Sequence, residues 1–134
     1  MPQTDVKRLK VLLIDDEWFI RTTIRQILNQ LGINNTYEAG DVDAAIRETM
    51  RVQPHLVLCD IHMPGEDGLA YLAKLRKAPL PDVAAIPVVM LTSDSSEDAV
   101  MTAKGLHVDG YLVKPVSLAT VKRAIERALK ITIS

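Results

Sequence analysis

The sequence predicts an α/β fold, an open, doubly wound parallel sheet of five strands in the order 2-1-3-4-5 with five helices. Three observations predict it. Short apolar runs alternate with helical patterns along almost the whole chain, the mark of repeated βα units. The strand-like runs are apolar on successive residues, as parallel strands covered on both faces must be. At 134 residues the chain is too short for an eight-stranded barrel.

Lys10 to Ile14 is the first such run, and it ends at Asp15. Ile20, Ile24, Ile27, Leu28 and Leu31 then recur at three- and four-residue steps, lining one face of a helix that Gly32 is placed to end. Thr36 to Ala39 is a weaker second strand. Gly40 and Asp41 offer a turn and an N-cap for a helix carrying Val42, Ala45, Ile46 and Met50, which Pro54 closes. Leu56 to Cys59 is the third strand. The segment from Met63 to Gly68 reads as a loop because of its proline and glycines, and Leu69, Tyr71, Leu72 and Leu75 make the third helix.

Two close prolines make the stretch from Ala78 to Asp82 a loop. Strand four is expected from Pro87 to Leu91. A fourth helix, capped by Ser95 or Ser96 and running to about Leu106, is less apolar than the others and so less firmly packed. Tyr111 to Val113 is strand five. Ser117 caps a last helix with Leu118, Val121, Ile125, Ala128 and Leu129 on one face. Nothing is left over for a second unit, so a single domain over 1–134 is expected, with its core at about 10–130.

Composition sets the outer limits. Hydrophobic residues make up 48% and charged residues 25%, the ordinary globular range. Sixteen basic against seventeen acidic residues leave a formal charge of −1, so no whole-chain field favours direct nucleic-acid or membrane binding. One cysteine, Cys59, cannot form an internal disulfide, no apolar signal core opens the chain, and no apolar run spans a bilayer. A cytoplasmic location is therefore expected. Cys59, inside an apolar strand, reads as a small buried hydrophobe; His55 and His107 read as surface or loop residues, and Trp18 lies outside the core.

In such a sheet functional groups gather beyond the carboxyl ends of the strands. The residues there are Asp15 and Asp16 after strand one, Asp60 after strand three, Thr92 after strand four and Lys114 after strand five. Singly, each has an ordinary reading as a cap, a strand-former or a solvated lysine. Together they form a set, because three carboxylates brought close repel and call for a cation. Hard oxygen ligands without a cysteine or histidine cluster suit Mg²⁺, with Mn²⁺ as its substitute, and a lysine and a hydroxyl beside the metal complete a site for a phosphoryl group.

Leu13 to Glu17, Leu58 to Gly68, Leu91 to Ser93 and Gly110 to Pro115 resemble, in this order and spacing, the receiver domains of bacterial two-component response regulators, of the chemotaxis-regulator type. The resemblance covers Lys10 to about Leu129 and implies a flavodoxin-like sheet. It implies Asp60 as phosphoacceptor, Asp15, Asp16, Asp60 and the carbonyl of His62 as Mg²⁺ ligands, and Thr92 and Lys114 as contacts to the phosphoryl group. It implies Tyr111 as an aromatic switch residue, a cis peptide at Lys114–Pro115, and an influence of His62 and Asp94 on access of the hydrolytic water. The phosphoryl donor would be a sensor histidine kinase or a histidine phosphotransfer protein. The output would be a downstream protein partner, or a second copy, meeting the face built from the fourth helix, strand five and the last helix.

Such a domain assists its own phosphorylation without turning over a separate substrate. The alternative is a receiver-like interaction module that is not phosphorylated. An aspartyl phosphatase is disfavoured because Asp60-Ile61-His62 lacks a second carboxylate two residues on. A flavin-binding domain is disfavoured because an acidic pair follows strand one where a phosphate loop would be needed.

Overall fold

A computed structural model describes residues 5–93 and 105–134. Five strands, β1 (Lys10–Ile14), β2 (Asn35–Ala39), β3 (Leu56–Asp60), β4 (Val88–Thr92) and β5 (Gly110–Val113), form one parallel sheet in the order β2-β1-β3-β4-β5. Among the described residues, a 3-10 turn (Val6–Arg8) precedes the sheet, and the α-helices around it include α1 (Trp18–Gln30), α2 (Val42–Val52), α3 (Gly68–Arg76), α4 (Pro81–Ala84) and α5 (Leu118–Leu129).

Side chains alternate across each central strand, and that alternation builds two cores. Leu12, Ile14, Val57, Cys59, Val88 and Met90 face Val42 and Ala45 of α2 and Tyr71, Leu72 and Leu75 of α3. The intervening Val11, Leu13, Leu56, Leu58, Val89 and Leu91 face Ile24 and Leu28 of α1 and Val121 and Ile125 of α5. Covering both faces is what makes β1, β3 and β4 read as unbroken apolar runs.

The ends of the helices follow local chemistry. Asp41 accepts the Ala44 N–H at 2.8 Å, Asp67 accepts that of Ala70 at 3.0 Å, and Ser117 and Thr120 form a reciprocal capping box. Gly32, at φ +88°, takes the left-handed turn that closes α1, a conformation side chains with a Cβ resist. Between α2 and α3 the buried Thr49 and Tyr71 hydroxyls hydrogen-bond at 2.8 Å, so Tyr71 is a core residue with a satisfied polar end.

Four expectations change. Met50, expected with Val42, Ala45 and Ile46 on the apolar face of α2, is exposed, because the buried face runs through Ala45, Thr49 and Val52 instead. The stretch expected to remain a loop through Asp82 turns into the short helix α4, because a proline in the first helical position surrenders an amide the helix does not use. Leu118 is not on the buried face of α5 but exposed, since the apolar stripe starts only at Val121. Gly68, expected in a loop, is the first residue of α3. The helix expected from Ser95 or Ser96 to about Leu106 falls mostly on 94–104, outside the described residues.

At the end of the sheet away from the strand carboxyl termini, Arg76 joins three segments. Its guanidinium donates to the carbonyls of Ala84 and Ile86, both at 2.8 Å, and to that of His107 at 2.9 Å. It also lies 3.4 Å from the Asp109 carboxylate, which accepts the Val88 N–H at 2.8 Å.

Candidate functional site

The three central strands and β5 deliver their carboxyl ends to one rim. Asp15 follows β1 directly, Asp60 and Thr92 are the last residues of β3 and β4, and Lys114 follows β5. Asp15, Asp60 and Thr92 are buried, with Asp15 1% and Asp60 4% exposed, whereas Asp16 is exposed. The structure thus brings together the residues that the strand-end argument singled out. Oxygen atoms of Asp15, Asp16 and Asp60 lie within 4.8 Å of one another, so this acidic cluster could hold a metal ion. The donor set, all carboxylate, is that of a hard cation.

Lys114 crosses the rim. Its Nζ donates to Asp15 Oδ2 at 2.9 Å and lies 3.3 Å from Asp60 Oδ1, while its main-chain N–H donates to the Thr92 carbonyl at 2.7 Å. Asp15 Oδ1 also accepts the Glu17 N–H at 3.0 Å, which turns the chain out of β1 into α1. Burial, followed by the neighbouring Asp15 charge, raises the Asp60 carboxyl above its ordinary pKa, against the opposing pull of Lys114 and of the His62 main-chain N–H. For Lys114, burial acts downward, but the hydrogen bond to Asp15 and the two carboxylate charges outweigh it, and the ammonium is held above its ordinary value. One ammonium therefore sits between two carboxylates, and a third carboxylate borders them. This is a net negative pocket with room in its charge balance for a cation.

The other singled-out residues fall into place around it. His62 is exposed, and its contribution among described residues is the main-chain N–H given to Asp60. Tyr111 is half-buried on β5, opposite Met90 in register, and packs against the α2–α3 core; burial raises its phenol pKa. The Lys114–Pro115 peptide is cis. Trp18 opens α1 two residues beyond Asp16 and is 68% exposed. Cys59 is buried, and burial pushes its thiol well above the ordinary value, so it is no nucleophile. His55 accepts the Lys10 N–H at 3.0 Å, a strand-end contact remote from the rim in sequence and register. Asp94 lies outside the described residues.

Sequence reasoning missed two things here. Gly68 packs against the Asp60 main chain so closely that a Cβ would stand 2.1 Å from the Asp60 carbonyl oxygen. A glycine opening a helix at some cost in helix propensity was the available signal. Arg21, on α1, donates to the Asp15 carbonyl and to Glu38 Oε1 of β2, the latter at 2.9 Å. No local pattern marks it, since an arginine on an amphipathic helix reads as solvated.

Known proteins give the same picture. The chemotaxis protein CheY-3 of Vibrio cholerae is 31% identical over 121 residues, covering 90% of this chain and 92% of that protein. The probable chemotaxis protein CheY of Rhizobium etli is 32% identical over 120 residues, with the same coverage. Among solved structures, V. cholerae CheY4 superposes with a TM-score of 0.83 at 26% identity, over 90% of this chain and 98% of that one. The receiver domain of NtrX from Brucella abortus does so at 0.80 and 30% identity, again over 90% and 98%. The family described as response regulator receiver domain matches residues 11–126, which run from β1 through most of α5 and contain every rim residue described above. The chain therefore belongs to the receiver domains of two-component systems, signalling modules that interact with histidine kinases and downstream partners.

Proposed function

We propose that Asp60 accepts a phosphoryl group in a Mg²⁺-dependent reaction and that the domain signals by the resulting change of shape. The observation that carries this is the rim itself, where three carboxylates meet within 4.8 Å and a lysine bridges two of them. The Asp15, Asp16 and Asp60 carboxylates and the His62 carbonyl would hold the ion, Mn²⁺ serving in its place. When bound, it neutralises charge on the transferring group.

In the reaction an Asp60 carboxylate oxygen attacks phosphorus in line. The bond from phosphorus to the donor histidine nitrogen breaks, that nitrogen leaves with the electron pair, and an acyl phosphate results. Lys114 and the Thr92 hydroxyl then take up charge on the phosphoryl oxygens. The donor is a sensor histidine kinase or a histidine phosphotransfer protein, in the cytoplasm; no helix among the described residues is long and apolar enough to cross a membrane. In the chain's own reaction the protein is both catalyst and product, with no separate substrate turned over.

Incubation with acetyl phosphate or phosphoramidate and Mg²⁺ should add one phosphoryl group to the intact mass, lost on hydroxylamine treatment and prevented by EDTA. Label recovered on any residue other than Asp60 overturns the assignment. Absence of label in millimolar Mg²⁺ supports the second reading, an unphosphorylated interaction module.

Output follows from what the new dianion can bind. Thr92 and Lys114 turn toward it, space opens behind β4, and the Tyr111 ring moves inward from its half-buried position. The face that changes comprises β5 and α5, where Val113 and Leu118 are exposed apolar groups ready for a downstream protein or a second copy, together with the fourth helix expected from the sequence, which falls mostly outside the described residues. A bias of a few kcal/mol is enough to shift such an equilibrium. Beryllofluoride stands in for the phosphoryl group, so NMR spectra with and without it should differ at Tyr111 and in the segment from Thr92 to Gly110 as well as around Asp60. Shifts confined to the surroundings of Asp60 rule this output mechanism out.

A further inference from the structure

The turn that carries Asp15 and Asp16 is held from outside the acidic cluster. Asp15 N–H donates to the Ala39 carbonyl of β2 at 3.2 Å, and the Asp15 carbonyl accepts from the Arg21 guanidinium. Arg21 is in turn fixed by Glu38, one residue before Ala39, whose other oxygen takes Arg25 at 2.5 Å. The Arg21 side chain is 18% exposed, so this fork is largely withdrawn from solvent. It lies close to Gly40, where a Cβ would stand in van der Waals contact, 3.4 Å from the guanidinium nitrogen. By contrast, among the described residues no side chain hydrogen-bonds the exposed Asp16 carboxylate. Its position rests on its backbone, and the peptide joining Asp15 to Asp16 is the one whose carbonyl Arg21 grips.

We propose that Arg21, oriented by Glu38, is a positioning residue for the divalent-metal site, setting the Asp15–Asp16 peptide and through it the place of the Asp16 carboxylate. This rests on the reading of Asp15, Asp16 and Asp60 as the metal-binding set. The planar guanidinium suits the task, because one rigid fork serves a carboxylate and a carbonyl at once; an ammonium reaches either with a single point charge. The sign of the effect separates positioning from charge. A cation beside an acidic site repels a dication, so loss of the Arg21 charge by itself tightens Mg²⁺ binding. Loss of positioning weakens it.

The test is Mg²⁺ titration of the full chain by calorimetry and by Trp18 fluorescence, with folding checked by circular dichroism. Arg21→Ala should weaken Mg²⁺ binding by about tenfold or more, the usual cost of removing a group that orients a metal ligand. Arg21→Lys should recover part of the loss, and Glu38→Gln should show a smaller loss in the same direction. Arg51→Ala, which removes an exposed cation paired with Glu48 in the last turn of α2, should bind as wild type does. Phosphorylation of Arg21→Ala by acetyl phosphate should need more Mg²⁺ for half its maximal rate yet approach the wild-type rate at saturation, a split that general loosening of the fold does not produce. Folded Arg21→Ala with equal or tighter Mg²⁺ affinity overturns the inference. If that variant does not fold, unchanged affinity in Arg21→Lys overturns it instead. A wild-type protein that binds no Mg²⁺ overturns the metal-set reading itself, a result distinct from wild-type binding that the Arg21 variants leave untouched.

Discussion

Asp60→Asn should take up no phosphoryl group from acetyl phosphate and, in metal-free buffer at neutral pH, should be more stable than the wild-type protein by about 1–2 kcal/mol. The loss follows because an amide oxygen is a poor nucleophile in the place of a carboxylate. The gain follows from the cost of holding Asp60 ionised. Burial and the Asp15 charge raise its folded pKa above the unfolded value. Stability from a group raised in this way is fully present below the unfolded pKa, about 3.9 for an aspartate, and is lost as pH rises through the folded value. Asparagine does not titrate, so the gap between the two proteins should open as pH rises above the unfolded aspartate value. Urea midpoints of both proteins at several pH values measure it. A gap that closes with rising pH contradicts the electrostatic account, while Mg²⁺, by stabilising the wild type alone, should narrow it.

Gly68→Ala should destabilise the protein by about 3 kcal/mol, at the upper end of what overpacking costs. Two general effects of this substitution point the other way, since alanine is the better helix former and restricts the unfolded chain. The contact decides against them. A Cβ at 68 would meet the Asp60 carbonyl oxygen at 2.1 Å and the Ile61 Cα at 3.0 Å, and these are backbone atoms that cannot swing aside. Relief requires β3 and the start of α3 to part, which also breaks the bond from Gly68 N–H to the Ile61 carbonyl, 2.8 Å long. Because Asp60 is the residue displaced, phosphorylation should fall together with stability. Gly65→Ala is the matched comparison, with open space around it but φ at +76°, and should cost about 1 kcal/mol through backbone strain alone. Equal urea midpoints for the two variants would show that the close approach at 68 is not what its glycine serves.

What the sequence made legible was whatever is written locally or imposed by the sheet. β1 starts and ends at the expected residues, and β3 and β4 are within one residue of expectation at either end, because a strand covered on both faces has no polar position to blur its pattern; the half-exposed edge strand β5 also falls within one residue, its short apolar run standing between Gly110 and Lys114. The rim residues were legible through the rule that parallel strands present chemistry at their carboxyl ends. Arg21, Glu38 and Gly68 were not, since Arg21 and Gly68 matter through contacts with the main chain at Asp15 and Asp60, and Glu38 through the arginines it holds, none of which follows a helix or strand period. Leu118 misled because its spacing from Val121 and Ile125 fits the helix repeat, although the first turn of α5 extends past the sheet into solvent.

The Arg76 junction gives the domain an asymmetry. With the loops entering β4 and β5 tied by one guanidinium to α3 and α4, the sheet is clamped at one end, and the acidic rim lies at the other. A body tied at one end yields most easily at the other. A change of the kind proposed above, starting at the rim, would thus pass sideways to the neighbouring surface of β5 and α5 and not down the strands toward their clamped beginnings.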